Sequence, residues 1–181
     1  NKLRNKYKLN GTVYGYVGRF EEEKNPIFLI DIFNEIYKIN NNSYLLLVGD
    51  GSLKNKVEEY VNELGISDRV IFIGYSDKVY ELLNCMDIFI LPSIYEGLGI
   101  SLIEAQTNGL FVYTSSLVSE AKISKNIKCF SLENSVYDIA LDIVSNKKKI
   151  KREELYKNTI NSGYSIKDTC DKLEIIYDIM K

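Results

Sequence analysis

Tyr44-Leu45-Leu46-Leu47-Val48-Gly49-Asp50-Gly51 is an unbroken apolar run that ends in a glycine-rich turn. A strand with one wet face alternates apolar and polar residues, and this one does not. It reads as a parallel strand covered on both faces. Beyond the turn, Leu53, Val57, Tyr60, Val61 and Leu64 recur at helical spacing, and Gly65 suits the helix stop. One strand–turn–helix unit is thus legible in about twenty residues.

The same grammar continues on both sides. Upstream, residues 12–17 form a strand that ends at Gly18-Arg19. Asn25-Pro26 then reads as an N-cap followed by proline at the first helical position, with Leu29, Phe33, Ile36 and Tyr37 on one face as far as about Ile39. Downstream, strands are expected at 70–73, 88–91, 111–114 and 127–130, the first ending at Gly74 and the second closed by Pro92-Ser93. Helices are expected at 77–83, 99–107, 135–145, 151–161 and 166–180. Repeated strand–helix–strand units need crossovers, so the fold class is α/β: a Rossmann-like, doubly wound parallel sheet of about six strands. Ligands of such sheets bind beyond the carboxyl ends of the strands. Gly18-Arg19, Gly49-Asp50-Gly51, Gly74-Tyr75 and 92–99 all stand at such ends.

Composition narrows the function. The chain has 181 residues, enough for one domain with a substantial core, and 45% are hydrophobic, which excludes a disordered chain. Lys and Arg total 23 against 25 Asp and Glu, a net charge of −2 that argues against a bulk electrostatic grip on nucleic acid. Any phosphate must be held by a few placed cations and backbone amides. There is no histidine, which excludes a zinc hydrolase or a Ser-His-Asp enzyme in this chain alone. Cys85, Cys129 and Cys170 lack metal-ligand spacing; Cys85 and Cys129 lie in apolar surroundings and read as buried thiols of a reducing compartment. No apolar run approaches a membrane span. Residues 1–10 are polar and basic with no signal core, and no initiator Met is present, so the sequence reads as a piece of a longer protein.

Three clusters could carry chemistry. In Glu96-Gly97-Leu98-Gly99-Ile100-Ser101-Leu102-Ile103-Glu104 the two glutamates are separated by seven residues. The glycines let backbone approach a ligand, and the helix that follows presents unpaired N–H groups to an anion. A phosphate on those amides with a carboxylate to each side describes a sugar nucleotide; the alternative is a solvated loop with Glu104 on a helix surface. Gly18, Arg19 and Lys24 could neutralise a diphosphate and a leaving group. Equally, Arg19 and Lys24 could only balance Glu21, Glu22 and Glu23. Val48-Gly49-Asp50-Gly51-Ser52 lacks the third glycine of a dinucleotide fingerprint and reads as a tight turn. Tyr75 and Ser76 could border a nucleobase or form a plain surface loop.

Taken in order, Val17-Gly18-Arg19 with Lys24-Asn25-Pro26, Leu47-Val48-Gly49-Asp50-Gly51, Phe72-Ile73-Gly74, the run from Asp87 to Ser93, and the Glu96-to-Glu104 segment with Ala105 and Gly109 resemble the C-terminal domain of group 1 (family 4) glycosyltransferases, enzymes of the GT-B fold. The resemblance runs from about Val13 to Tyr177. It implies that Arg19 and Lys24 bind the donor's diphosphate, that Glu96 touches the donor sugar, and that Glu104 binds the ribose hydroxyls. Backbone amides near Gly97, Leu98, Gly99 and Ile100 would meet phosphate and sugar. It further implies transfer with retention of configuration and no metal, with a UDP-sugar as donor. Residues 1–181 would be a single donor-binding domain whose N-terminal acceptor domain lies outside this chain. The enzyme would be cytoplasmic, and peripheral at the inner membrane face where its acceptor is lipid-linked. Leu110-Phe111 departs from the small residue and proline common after the motif helix, and 115–124, with Glu120, looks like variants in bacterial capsule and exopolysaccharide enzymes. The last helix resembles the family's C-terminal helix that returns toward the N-terminal domain, so its stripe Leu173, Ile176 and Tyr177 reads either as a packed helix face or as partly uncovered in this chain.

Two rivals share the phosphate logic: a GT-B sugar-nucleotide epimerase, for which no additional acid–base residues are evident, and a catalytically silent binding module, which has no need of Arg19, Lys24, Glu96 and Glu104 together. A nicotinamide dehydrogenase is rejected, because Gly15, Gly18 and Arg19 do not make its glycine fingerprint.

Overall fold

A computed structural model describes residues 2–118, 125–145, 156, 170–171 and 173–176. The elements in chain order are α1 (Lys2–Lys6), β1 (Thr12–Val17), a 3-10 turn (Glu22–Lys24), α2 (Pro26–Ile39), β2 (Ser43–Val48), α3 (Lys54–Glu63), β3 (Val70–Gly74), α4 (Val79–Leu83), β4 (Ile88–Leu91), α5 (Ile100–Thr107), β5 (Phe111–Ser115), β6 (Ile127–Phe130) and α6 (Val136–Ser145). The six strands form one sheet in the order β3-β2-β1-β4-β5-β6, with every pairing parallel.

Both faces are covered, as the apolar runs require. Leu45, Leu46, Leu47 and Val48 of β2 are buried, as are Phe89, Ile90 and Leu91 of β4. Each such side chain contributes about 1.5–3 kcal/mol relative to exposure, as an upper estimate. Helix α2 buries Leu29, Ile30, Ile32, Phe33 and Ile36 and packs on α6 as well as on the sheet. Gly15 in the middle of β1 leaves room for Met86, whose Sδ would stand 2.0 Å from an added Cβ. Helix α1 is held at the amino ends of β1 and β4 by Leu3, which packs against the core, and by Arg4. Arg4 donates through Nη2 to Asp87 Oδ2 and through Nε to the Cys85 carbonyl, while Asp87 Oδ2 also accepts the Val13 amide at 2.8 Å.

Four readings need correction or limits. Asn25 occupies the N-cap position ahead of Pro26, and its carbonyl accepts the Leu29 amide, but it sits at φ 54° with no side-chain bond to the helix, because it also closes the preceding 3-10 turn. Cys85 is buried, but Cys129 is only half-buried on the edge strand β6 and Cys170 is exposed. Leu173 and Ile176 are exposed rather than packed. Tyr177, Glu120 and the expected helix at 151–161, apart from Tyr156, lie outside the described residues. Among the described residues no helix is long and apolar enough to cross a membrane.

The strand order reverses between β1 and β4. The crossover from β1 runs to β2 on one side, and that from β4 runs to β5 on the other. Their two carboxyl ends therefore open onto a shared crevice, where ligands of doubly wound sheets bind.

Candidate functional site

Two loops border that crevice. The loop after β1 carries Gly18, Arg19 and Lys24, and the loop after β4 carries Pro92 to Gly99. They are joined through backbone, since the Glu23 carbonyl accepts the amides of Ile94 at 2.8 Å and Tyr95 at 3.4 Å. They are also joined through charge. Lys24 Nζ stands 2.7 Å from Glu96 Oε2, and the side chains are 17% and 7% exposed. Both side chains are largely shielded from water, so losing either charge leaves the other short of its partner.

Glu96 is oriented from behind. Its Oε1 accepts a 2.8 Å bond from the buried Ser93 hydroxyl, and the Ser93 carbonyl in turn accepts the Ser115 hydroxyl at 2.5 Å. Thr114, also buried, donates to the Leu91 carbonyl at 2.8 Å. Hydroxyls at the ends of β4 and β5 thus fix the start of the Glu96 loop. Arg19 faces outward, with a side chain 71% exposed, and its Nη2 donates to Glu23 Oε1 at 2.9 Å. Its carbonyl accepts the Tyr16 hydroxyl at 2.7 Å. Burial, followed by the charges of Glu96 and Glu23, pushes the Tyr16 hydroxyl well above its usual range, so it remains a donor.

Helix α5 starts open. Gly99 precedes it at φ 65°, and no side chain caps it. Its first amide bonds go from Leu102 and Ile103 to the Gly99 carbonyl, which leaves the amides of Ile100 and Ser101 unpaired among the described residues. Those N–H groups and the positive end of the helix dipole give an anion a place to sit. Gly97 has open space where a Cβ would stand, and Leu98 and Ile100 are exposed.

The four charged residues are not equally gathered. Lys24 and Glu96 touch, and Arg19 shares their loop. Glu104 lies on the second turn of α5, where its carboxylate makes no hydrogen bond or ion pair among the described residues. Although much of that residue is exposed, the groups packed around its carboxyl desolvate it and raise its pKa above the ordinary value. Tyr75 is 85% exposed beyond the edge strand β3, and the Ser76 hydroxyl accepts the Lys78 amide within its own turn. No bond among the described residues links either one to Lys24 or Glu96.

Comparison with known proteins decides the family. A model of glycosyl transferases group 1 matches residues 1–162. The chain belongs to that family. A putative glycosyltransferase, EpsF, of Bacillus subtilis is 30% identical over 92% of this chain and 44% of its own length. An Escherichia coli UDP-Gal:alpha-D-GlcNAc-diphosphoundecaprenol alpha-1,3-galactosyltransferase is 28% identical over 94% of this chain and 46% of its own. This group 1 chain therefore spans less than half the length of either relative. Among solved structures, Anabaena HepE in complex with UDP and glucose matches 99% of the chain with a TM-score of 0.80 at 18% identity, over 51% of its own chain. The C-terminal domain of a group 1 glycosyl transferase from Francisella tularensis matches 89% with a TM-score of 0.69 at 21% identity, over 87% of that crystallised domain. The group 1 fold is thus that of one half of a GT-B glycosyltransferase, corresponding to the C-terminal domain.

Sequence reading missed several residues that shape this group 1 site. Ser93 lies three positions before Glu96, and that short spacing could have flagged it. Tyr16, Ser115 and the pairing of Glu21 with Ser52 act across loops or within turns, and no periodicity marks them, whereas the pairing of Arg19 with Glu23 is one that the charge run offered.

Proposed function

We propose that this chain is the donor-binding domain of a retaining, metal-independent glycosyltransferase. It would hold a nucleoside-diphosphate sugar, a UDP-sugar by preference, for bacterial cell-surface polysaccharide synthesis. The observation that carries the proposal is the water-shielded Lys24–Glu96 pair at the switch point, beside the uncapped start of α5. Lys24 Nζ keeps donors to spare after meeting Glu96. Together with Arg19 and the amides of Ile100 and Ser101 it would stabilise the charge that gathers on the departing diphosphate as the sugar's anomeric carbon leaves it. Glu96 would accept hydroxyl hydrogen bonds from the sugar, and Glu104 from the ribose. Gly18, Gly97, Leu98 and Gly99 would bring backbone against the ligand, and Tyr75 and Ser76 would flank the base.

Supporting the nucleotide are the UDP-bound structures that share the fold, and supporting the polysaccharide role are relatives such as the Staphylococcus aureus capsular polysaccharide glycosyltransferase CapH. An N-terminal acceptor domain, cytoplasmic location and peripheral membrane contact belong to the proposal for the whole enzyme. Incubating the full-length enzyme with UDP-sugars and identifying the products tests it. A glycosylated acceptor with the donor's anomeric configuration, formed in the presence of a chelator, is expected. A free epimerised nucleotide sugar would replace the proposal with the epimerase reading.

A further inference from the structure

The turn Gly49-Asp50-Gly51 makes no ion pair with the Lys24–Glu96 site, but it holds the loop that does. Gly18 donates its amide to the Val48 carbonyl at 3.0 Å, Phe20 to the Asp50 carbonyl at 2.9 Å, and Leu53 to the Phe20 carbonyl at 2.8 Å. The two loops lie so close that a Cβ on Gly49 would stand 1.9 Å from the Gly18 carbonyl oxygen. One on Gly51 would stand 2.6 Å from the backbone of Phe20. Side chains complete the seam. Glu21 accepts the Ser52 amide on Oε1 at 3.0 Å and the Ser52 hydroxyl on Oε2 at 2.6 Å. These two bonds hold the Glu21 carboxyl below the usual carboxylate range.

A carboxylate here needs a reason. Glu21 lies two residues from Arg19 and three from Lys24, in a loop proposed to hold a dianion, and like charges repel. The carboxylate of Glu23 is paired with Arg19, whereas both hydrogen bonds of the Glu21 carboxylate come from Ser52, and the charge of Arg19 is only the smallest of the influences that favour its ionised form. We infer that Glu21 and Ser52 are positioning residues, a latch that sets where Arg19 and Lys24 stand for the donor's diphosphate. This inference rests on the nucleotide-sugar reading above.

The latch and simple electrostatics make opposite predictions. If Glu21 acts only as a nearby negative charge, its removal tightens diphosphate binding. If it positions the loop, its removal weakens binding. The test is UDP titration by calorimetry and NMR on this chain and on Glu21→Ala, Ser52→Ala, the double variant and Glu21→Gln. The crystallised Francisella domain of matching extent shows that such a unit stands alone. Glu21→Ala is expected to bind UDP about three- to tenfold more weakly, Ser52→Ala somewhat less so, and the double variant no worse than Glu21→Ala. Glu21→Gln is expected to stay within about twofold of wild type, because its carboxamide accepts from the Ser52 amide and donates to the hydroxyl. Both side chains lie at the surface, and spectral dispersion equal to wild type reports an intact fold for each variant. Wild type that binds while Glu21→Ala binds as well or better overturns the latch alone. Wild type that binds no UDP overturns the nucleotide reading and the latch with it.

Discussion

Lys24 and Glu96 come from different loops, yet their charged atoms stand 2.7 Å apart with little water around either. Removing one partner strands the other, so Glu96→Ala and Lys24→Ala should each cost roughly 2–4 kcal/mol by denaturant unfolding. The double variant should cost less than the sum, and strict additivity would show that the pair is not coupled. Glu96→Gln is therefore the cleaner functional variant: in the full-length enzyme it should lower the transfer rate more than it weakens donor affinity. Glu104 behaves differently. Its raised carboxyl pKa means that the folded state binds the proton more tightly than the unfolded state does. Stability therefore falls as pH rises through the window above the ordinary carboxylate pKa. Glu104→Gln should raise Tm at pH 7 by no more than ~2 °C, given solvent screening of an exposed group, and leave Tm unchanged near pH 4. It should also weaken UDP binding. A variant less stable than wild type at pH 7 would contradict this. The sequence named all four charged residues, because charged side chains beside glycines at strand ends are conspicuous. It could not show that Lys24 and Glu96 neutralise each other, since that contact depends on which strands are neighbours.

Among elements, the turn after β2 departs furthest from its sequence reading. Gly49-Asp50-Gly51 fits a tight turn, and its glycines are consistent with that. Their stronger requirement is the near-contact with Gly18 and Phe20, which belong to another loop and leave no local trace. Gly49 also sits at φ 137°. Gly49→Ala should accordingly destabilise the chain by about 2–4 kcal/mol and disturb the amides of Gly18 and Phe20. Gly65 provides the control. It sits at φ 70° after α3 with open space around it, so Gly65→Ala should cost only about 1 kcal/mol. Equal losses for the two variants would mean that backbone conformation, not the contact between loops, governs the turn. Strands were the most legible elements: each expected strand is present within a residue of its bounds, because uninterrupted apolar runs between glycines have few other uses. The 3-10 turn at Glu22–Lys24 was not legible, and it is why Asn25 holds the N-cap position in a left-handed conformation without a side-chain bond.

In the whole molecule, the order β3-β2-β1-β4-β5-β6 does for function what no single motif does. It places the first and fourth strands side by side, so that Arg19 and Lys24 from one loop and the Glu96 loop from another border the same crevice. Alternating strands and helices announce a doubly wound sheet, but strand order is settled by packing between distant segments. The chain spans less than half the length of the two relatives compared. In the proposed two-domain enzyme this chain supplies one wall of the cleft, so UDP binding by it alone should be weak. Its location is the decisive point. Titrating the chain with millimolar UDP while recording backbone amide NMR spectra should shift Gly18 to Lys24 and Gly97 to Ser101, with Glu104 following. Absence of shifts, or shifts confined to the amino ends of β1 and β4 around Arg4 and Asp87, would contradict a donor site at the switch point.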